Sequence, residues 1–144
     1  MKQSTKLLLL LIVVGTGIIL GRLSGSSPAN SQTQSKYETK EHEGGNVTVS
    51  VTPLTIKPGF PASFDVAFET HSVDLAFDVE QIATLTDSVG TVYTAYWEGS
   101  PPGGHHRSGT LRFTPDIDTL TSITLTFSDI ANIPTRTFIW EENK

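Results

Sequence analysis

The chain has 144 residues, enough for one domain of ordinary size, and it contains no cysteine. This excludes a disulfide scaffold, a thiolate metal site and lipid attachment at a cysteine. From residue 46 onward, five basic residues and twelve acidic ones give a net charge of −7. Because an acidic domain repels nucleic acid and anionic lipid headgroups, we expect no nucleic-acid partner.

The N-terminus has the pattern of an export signal or a membrane anchor. Residues 7–20 are uncharged and mostly apolar, and two lysines precede them. As a helix this run spans roughly 21 Å, less than the bilayer core of about 30 Å, which favours a cleaved signal peptide. Arg22, close behind the run, and the more distant small residues 27–29 favour an uncleaved anchor. We predict a hydrophobic signal-anchor helix within 1–23, with a cleaved signal peptide as the alternative. The remaining chain then lies outside the cytoplasm, on a single-pass membrane tether or as a secreted or periplasmic protein.

Residues 24–45 are rich in Ser, Gln, Lys, Glu and Gly, and Tyr37 is their one large apolar side chain. A segment of this composition buries too little surface to offset its ordering entropy. We predict a flexible polar stalk, in which His42 is solvated.

From residue 46 the pattern changes to an alternation of apolar and polar residues, which is typical of half-buried strands. Proline and glycine separate the runs. The predicted strands are 46–52, 62–69, 82–87, 91–97, 109–114, 121–128 and 136–140. Residues 73–79 also alternate. About seven short strands at this spacing predict an all-β domain over 46–144, an immunoglobulin-like antiparallel sandwich, with a barrel as the alternative.

Two stretches in this domain carry a family resemblance: 87–93 (D-S-V-G-T-V-Y) and 109–113 (G-T-L-R-F). With the order of strands and turns around them, residues 46–141 resemble the telokin-like, immunoglobulin-fold domains of bacterial surface proteins and lipoproteins. The resemblance implies an immunoglobulin fold and an extracytoplasmic location. It implies no enzymatic activity, since those domains share none. They usually hang from a lipidated cysteine, which this chain lacks.

The chemically distinctive stretch is 97–109 (W-E-G-S-P-P-G-G-H-H-R-S-G). In an antiparallel sandwich, the loops after the second and fourth predicted strands lie at the same end. Pairing of strand 62–69 with strand 109–114 then brings His71 beside His105 and His106. A full strand at 73–79 would reverse this parity.

Imidazoles are ligands for copper and zinc, so we predict a metal site of His71, His105 and His106. Asp74 would be a further ligand or would orient a ring. Adjacent His105 and His106 point apart on extended chain, which leaves open whether both ligate. The competing interpretation is that these histidines are solvent-exposed and bind nothing.

Other interpretations of these loops stay open. Asp74, Asp78, Asp116 and Asp118 offer oxygen ligands for calcium, and the segment 105–107 offers an anion site. No nucleophile motif is present, so we expect no enzyme. The sequence predicts a non-enzymatic, membrane-tethered binding module that takes copper or zinc. The alternative is a structural module that contacts another envelope protein through a sheet edge or through the loop end near Trp97.

Overall fold

A computed structural model describes residues 36–142. These residues form eight strands and one short helix. Their bounds are β1 Lys40–Gly44, β2 Val47–Thr55, β3 Ala62–Thr70, α1 Val79–Ile82, β4 Ala83–Asp87, β5 Val92–Gly99, β6 His106–Thr114, β7 Ser122–Ile130 and β8 Ile133–Glu141. The prediction of an all-β domain is confirmed.

All strand pairs are antiparallel, in the order β1-β2-β3-β6-β5-β4-β7-β8. Strand β5 links the two halves of this sheet, because Val92 and Tyr93 pair with β4 and residues 94–99 pair with β6. The sheet curls until its end strands approach each other. Side chains connect these ends: Trp140 Nε1 of β8 donates to the carbonyl of Glu38, just before β1, at 3.3 Å. The result is a nearly closed, barrel-like sheet.

The inward-facing apolar residues of both halves form one core. In β2 the buried residues are Val47, Val49, Val51 and Pro53, and the residues between them, 48, 50 and 52, are half-exposed and polar. Aromatic rings cross the centre, where Phe68 packs edge-to-face on Phe127 with ring centroids 5.5 Å apart. The two tryptophans differ: Trp140 is buried in this core, whereas Trp97 is partly buried against it.

The structure differs from the sequence prediction in one segment and decides between the alternatives left open for another. Strand β1, Lys40–Gly44, lies inside the predicted stalk of 24–45, so an ordered element begins before residue 46. Residues 73–78 form no strand, because their apolar side chains pack as a loop that leads into α1. Asp78 caps this helix, its carboxylate accepting from the Glu80 N–H at 3.0 Å. The loop parity assumed for the histidines therefore holds.

Within residues 36–142, no helix is long and apolar enough to cross a membrane. The predicted signal-anchor and most of the predicted stalk lie outside the described residues.

Candidate functional site: a histidine groove at one end of the sheet

Four connections meet at one end of the sheet, as the reversal of successive strands requires. They are the β1–β2 turn, the loop 71–78, the loop 100–105 and the β7–β8 turn. Thr70, the last residue of β3, is hydrogen-bonded to two of these connections, the β1–β2 turn and the loop 100–105. Its hydroxyl donates to the carbonyl of Asn46 at 2.6 Å, and its N–H donates to the carbonyl of His105 at 3.0 Å. We call this end, with its four connections, the histidine pole.

The loops 71–78 and 100–105 are joined by backbone hydrogen bonds. Gly103 N–H donates to Leu75 O at 2.8 Å, and Leu75 N–H donates to Gly104 O at 3.0 Å. Both glycines have positive φ, 106° and 79°, a conformation that side chains disfavour. The Asp74 carboxylate accepts from the Gly104 N–H at 2.9 Å. Asp74 is therefore engaged in holding the loop.

Arg107 anchors the same loops from inside and is only 3% exposed. Its Nη1 donates to the carbonyls of Leu75 at 2.9 Å and Phe77 at 2.7 Å, and its Nη2 donates to Ser100 O at 3.3 Å. Burial lowers the pKa of Arg107, and the charge of Asp78 acts in the opposite direction. The guanidinium fixes the two loops that flank the histidines.

His71 and His106 lie together on the outer surface of this pole. Their ring centroids are 6.3 Å apart, with the planes at 78°. Because a zinc–imidazole bond is about 2.0–2.1 Å long, two rings on one tetrahedral ion have centroids roughly 5 to 5.5 Å apart, so these two exposed rings share an ion after approaching by about 1 Å. Both side chains are exposed and line a groove of about 460 Å³.

Carboxylates line the same groove and were not among the sequence-predicted ligands. Glu69 is the direct cross-strand partner of His106, and Thr48 and Glu43 continue the same row across β2 and β1. The sequence carried a signal for this pair, since two polar residues, Glu69 and His71, lie two positions apart at the end of a predicted strand. The position of Glu69 opposite His106 required the strand register, which a single sequence does not show.

The other predicted ligands are placed differently. His105 contributes its backbone carbonyl to Thr70, and its ring is outside the residues that line the groove. The four aspartates considered for calcium divide between the two ends of the sheet. Asp74 and Asp78 belong to the histidine pole, whereas Asp116 and Asp118 follow β6 at the opposite end. In the described part of the chain, no three His, Cys, Asp or Glu side chains converge as placed on one metal position.

The opposite end of the sheet carries a polar cluster at the turn 87–91. The Asp87 carboxylate accepts from Val89 N–H at 3.0 Å, Thr91 N–H at 2.8 Å and the Tyr93 hydroxyl at 3.0 Å. Burial acts to raise the pKa of Asp87, but these hydrogen bonds outweigh it and keep the pKa below its ordinary value. Burial, the bond to Asp87 and nearby carboxylates raise the pKa of Tyr93 to about 12. Both oxygens of the Asp87 carboxylate accept hydrogen bonds from the turn or from β5, which indicates a structural role.

Comparison with known proteins gives no match among family models, curated proteins or solved structures.

Proposed function

We propose that the chain is a non-enzymatic, membrane-tethered extracytoplasmic binding module that holds a copper or zinc ion at the histidine pole. The observation that carries the proposal is the His71–His106 pair, with ring centroids 6.3 Å apart beside a carboxylate-lined groove. Neutral imidazole suits both metals. Nearby negative charge also favours a cation over the anion that the segment 105–107 suggested.

The domain is, in this proposal, an immunoglobulin-like sandwich related to the telokin-like domains. The strand order supports it: β2-β3-β6-β5 in one half and β4-β7-β8 in the other. If the strands β2 to β8 are lettered A to G in chain order, the two halves are A-B-E-D and C-F-G. This is the arrangement of constant-type immunoglobulin domains. Strand β1 is then an addition beside the first strand. The membrane tether rests on the apolar run at 7–20.

The backbone at the histidine pole is suited to hold a ligand pair in place. Thr70 binds the carbonyls of Asn46 and the loop 100–105, and Arg107 binds both flanking loops. A site on a fixed backbone loses little entropy on binding. Asp74 has a positioning role here, because its carboxylate holds the Gly104 N–H.

The alternative, a structural module that pairs through a sheet edge, finds less support. On the free side of β5, the Trp97 N–H already donates to the Glu80 carboxylate at 2.7 Å. A charged side chain that covers an edge N–H discourages strand addition. Pro134 lies in β8, one of the two end strands of the sheet, and lacks an N–H to offer.

The test is thermal unfolding of the full chain at neutral pH with increasing Cu²⁺ or Zn²⁺. Metal that binds only the folded state raises the melting temperature as its concentration increases. At a metal concentration of a hundred times Kd, the free energy of unfolding increases by about 2.7 kcal/mol. His71→Ala and His106→Ala should each abolish the rise, and His105→Ala, next in sequence, should retain it. Cu²⁺ should act at lower concentration than Zn²⁺. A melt that ignores both metals contradicts the proposal.

A further inference from the structure

The two histidines provide half of the four ligands that a zinc ion usually takes, so the remaining ligands must come from elsewhere. Glu69 is the nearest candidate by position. It precedes His71 by two residues, with the buried Thr70 between them, and both side chains line the groove. His106 is the cross-strand partner of Glu69. The three side chains therefore form a triangle around the end of β3 and the start of β6.

As placed, these three side chains do not converge on one position, so a shared ion requires them to turn toward each other. Directly opposed residues of antiparallel strands have Cβ atoms about 4.5 to 5.5 Å apart, within reach of a glutamate and an imidazole that converge. The Glu69 carboxylate is exposed, and within residues 36–142 it takes part in no hydrogen bond or ion pair. Two other carboxylates are engaged, since Glu41 accepts from the Ser50 hydroxyl at 2.9 Å and Asp74 accepts from Gly104. Glu43 also lines the groove, but it lies on β1, three strands away from His106 in the sheet order. Glu69 can therefore turn toward the pair at little cost.

The structure assigns Glu69 as the third protein ligand of the proposed metal site, so that His71, His106 and Glu69 hold a zinc or copper ion with one coordination position open to the groove. This inference rests on the proposed function. Two histidines and one glutamate form a known open zinc set, in which water or an external ligand takes the fourth position. The groove offers the hydroxyls of Thr48 and Ser72 to such a ligand. The carboxylate also offsets part of the charge of the divalent ion, which neutral imidazoles alone do not.

The inference is tested by measuring the Zn²⁺ affinity of the full chain in competition with a chromophoric chelator at neutral pH. Glu69→Gln keeps the size of the side chain and removes its charge. Since even partners outside the first ligand shell change metal affinity about 10- to 100-fold, we expect E69Q to weaken binding at least about tenfold. The matched control is Glu41→Gln, on the same outer face but outside the groove. A screened charge more than about 10 Å away should change affinity less than about threefold.

Bound Co²⁺ gives a second readout, since its visible absorption depends on coordination number and ligand type. The wild-type protein should show the intense bands of a four- or five-coordinate ion. E69Q should lose intensity or shift the bands, and E41Q should match the wild type. Circular dichroism of each variant checks that the fold is retained.

The outcomes separate this inference from the proposed function. If H71A and H106A lose Zn²⁺ while E69Q binds it as tightly as the wild type, the histidine site stands and the Glu69 assignment is wrong. If E41Q weakens binding as much as E69Q, the effect is general charge and the assignment is wrong as well. If the wild-type protein binds no Zn²⁺, Cu²⁺ or Co²⁺, the proposed function itself fails, and the Glu69 assignment fails with it.

Discussion

Arg136 is a buried charged residue, and the structure allows the effect of its replacement on the free energy of unfolding to be estimated. The side chain is fully buried in β8. Its Nη1 donates to the carbonyls of His42 at 3.0 Å and Val47 at 3.1 Å, and its Nη2 donates to Gly44 at 2.6 Å. The guanidinium thus connects the β1–β2 hairpin to the last strand, across the gap between the two ends of the sheet.

Replacement by methionine keeps most of the volume but removes all of these donors. A buried polar group left without a partner costs about 1–3 kcal/mol, and the guanidinium serves several carbonyls. An opposing term is the cost of burying the charge, which also lowers the pKa of Arg136. We expect the hydrogen bonds to outweigh this cost, with a net loss of about 3 kcal/mol for R136M. For a domain of this size, that lowers the melting temperature by about 10 to 15 °C.

The assay is thermal unfolding followed by circular dichroism at neutral pH. Arg112→Met is the matched control, because Arg112 is exposed on β6 and its nearest acid, Glu98, is 3.9 Å away. Such a surface pair contributes at most about 1 kcal/mol. Arg136→Lys should fall between the two, since a single ammonium keeps the charge and cannot reproduce the fork. If R136M melts within about 3 °C of R112M, the guanidinium does not stabilise the junction, and this reasoning is refuted.

Two further predictions concern Tyr93, at the end of the sheet opposite the histidine pole, and the paired glycines Gly99 and Gly109 of β5 and β6. The pKa of Tyr93 is raised from 10.0 to about 12 in the folded protein, so its contribution to stability is complete below pH 10 and is lost as the pH rises through 12. Urea unfolding should show this loss in the wild type and not in Tyr93→Phe; an equal loss in both would place its origin elsewhere. Gly109 faces Gly99 directly, and a Cβ at Gly109 would lie 2.5 Å from the Gly99 Cα and 2.6 Å from the Glu98 carbonyl oxygen. Gly109→Ala should therefore destabilise by about 1–3 kcal/mol in chemical unfolding, whereas the exposed Ser108→Ala should be close to neutral, and equal stabilities would show that the strands adjust freely.

The sequence predicted the elements in which apolar residues alternate cleanly, and missed those in which charge masks the alternation. Strand β1 reads K-E-H-E-G and is partly exposed on both faces, so nothing in its composition distinguishes it from a solvated stalk. Its order depends on pairing with β2 and on Arg136, both remote in sequence. His42, expected to be solvated, lies in this strand, with its Nδ1 3.3 Å from Arg136 Nη1.

The buried arginines show how a signal in the sequence was overlooked. Arg136 is in phase with Phe138 and Trp140, and Arg107 is in phase with Leu111 and Phe113, so the period of two already directed both side chains inward. Burial of arginine is rare, and composition alone argues against it. The carbonyls that accept hydrogen bonds from these two guanidinium groups belong to segments that come together only in the complete fold. For the same reason the predicted grouping of His71 with the loop 100–105 followed from strand parity, whereas the position of Glu69 opposite His106, on which its proposed role rests, required the register.

The same alternation explains how a cation site can lie beside a buried guanidinium. His106 and Arg107 are adjacent in β6 and therefore project from opposite faces, the imidazole outward and the guanidinium into the core. The Arg107 charge is held by the carbonyls of Leu75 and Phe77 on the inner side, whereas the carboxylate of Glu69 is on the outer side with the histidines. A metal ion in the groove is thus closer to the carboxylate than to the guanidinium. Arg107→Met should therefore impair metal binding mainly through loosened loops, and lowering the temperature should restore much of the affinity. Glu69→Gln should impair it at every temperature, because a missing ligand is not restored by a firmer backbone.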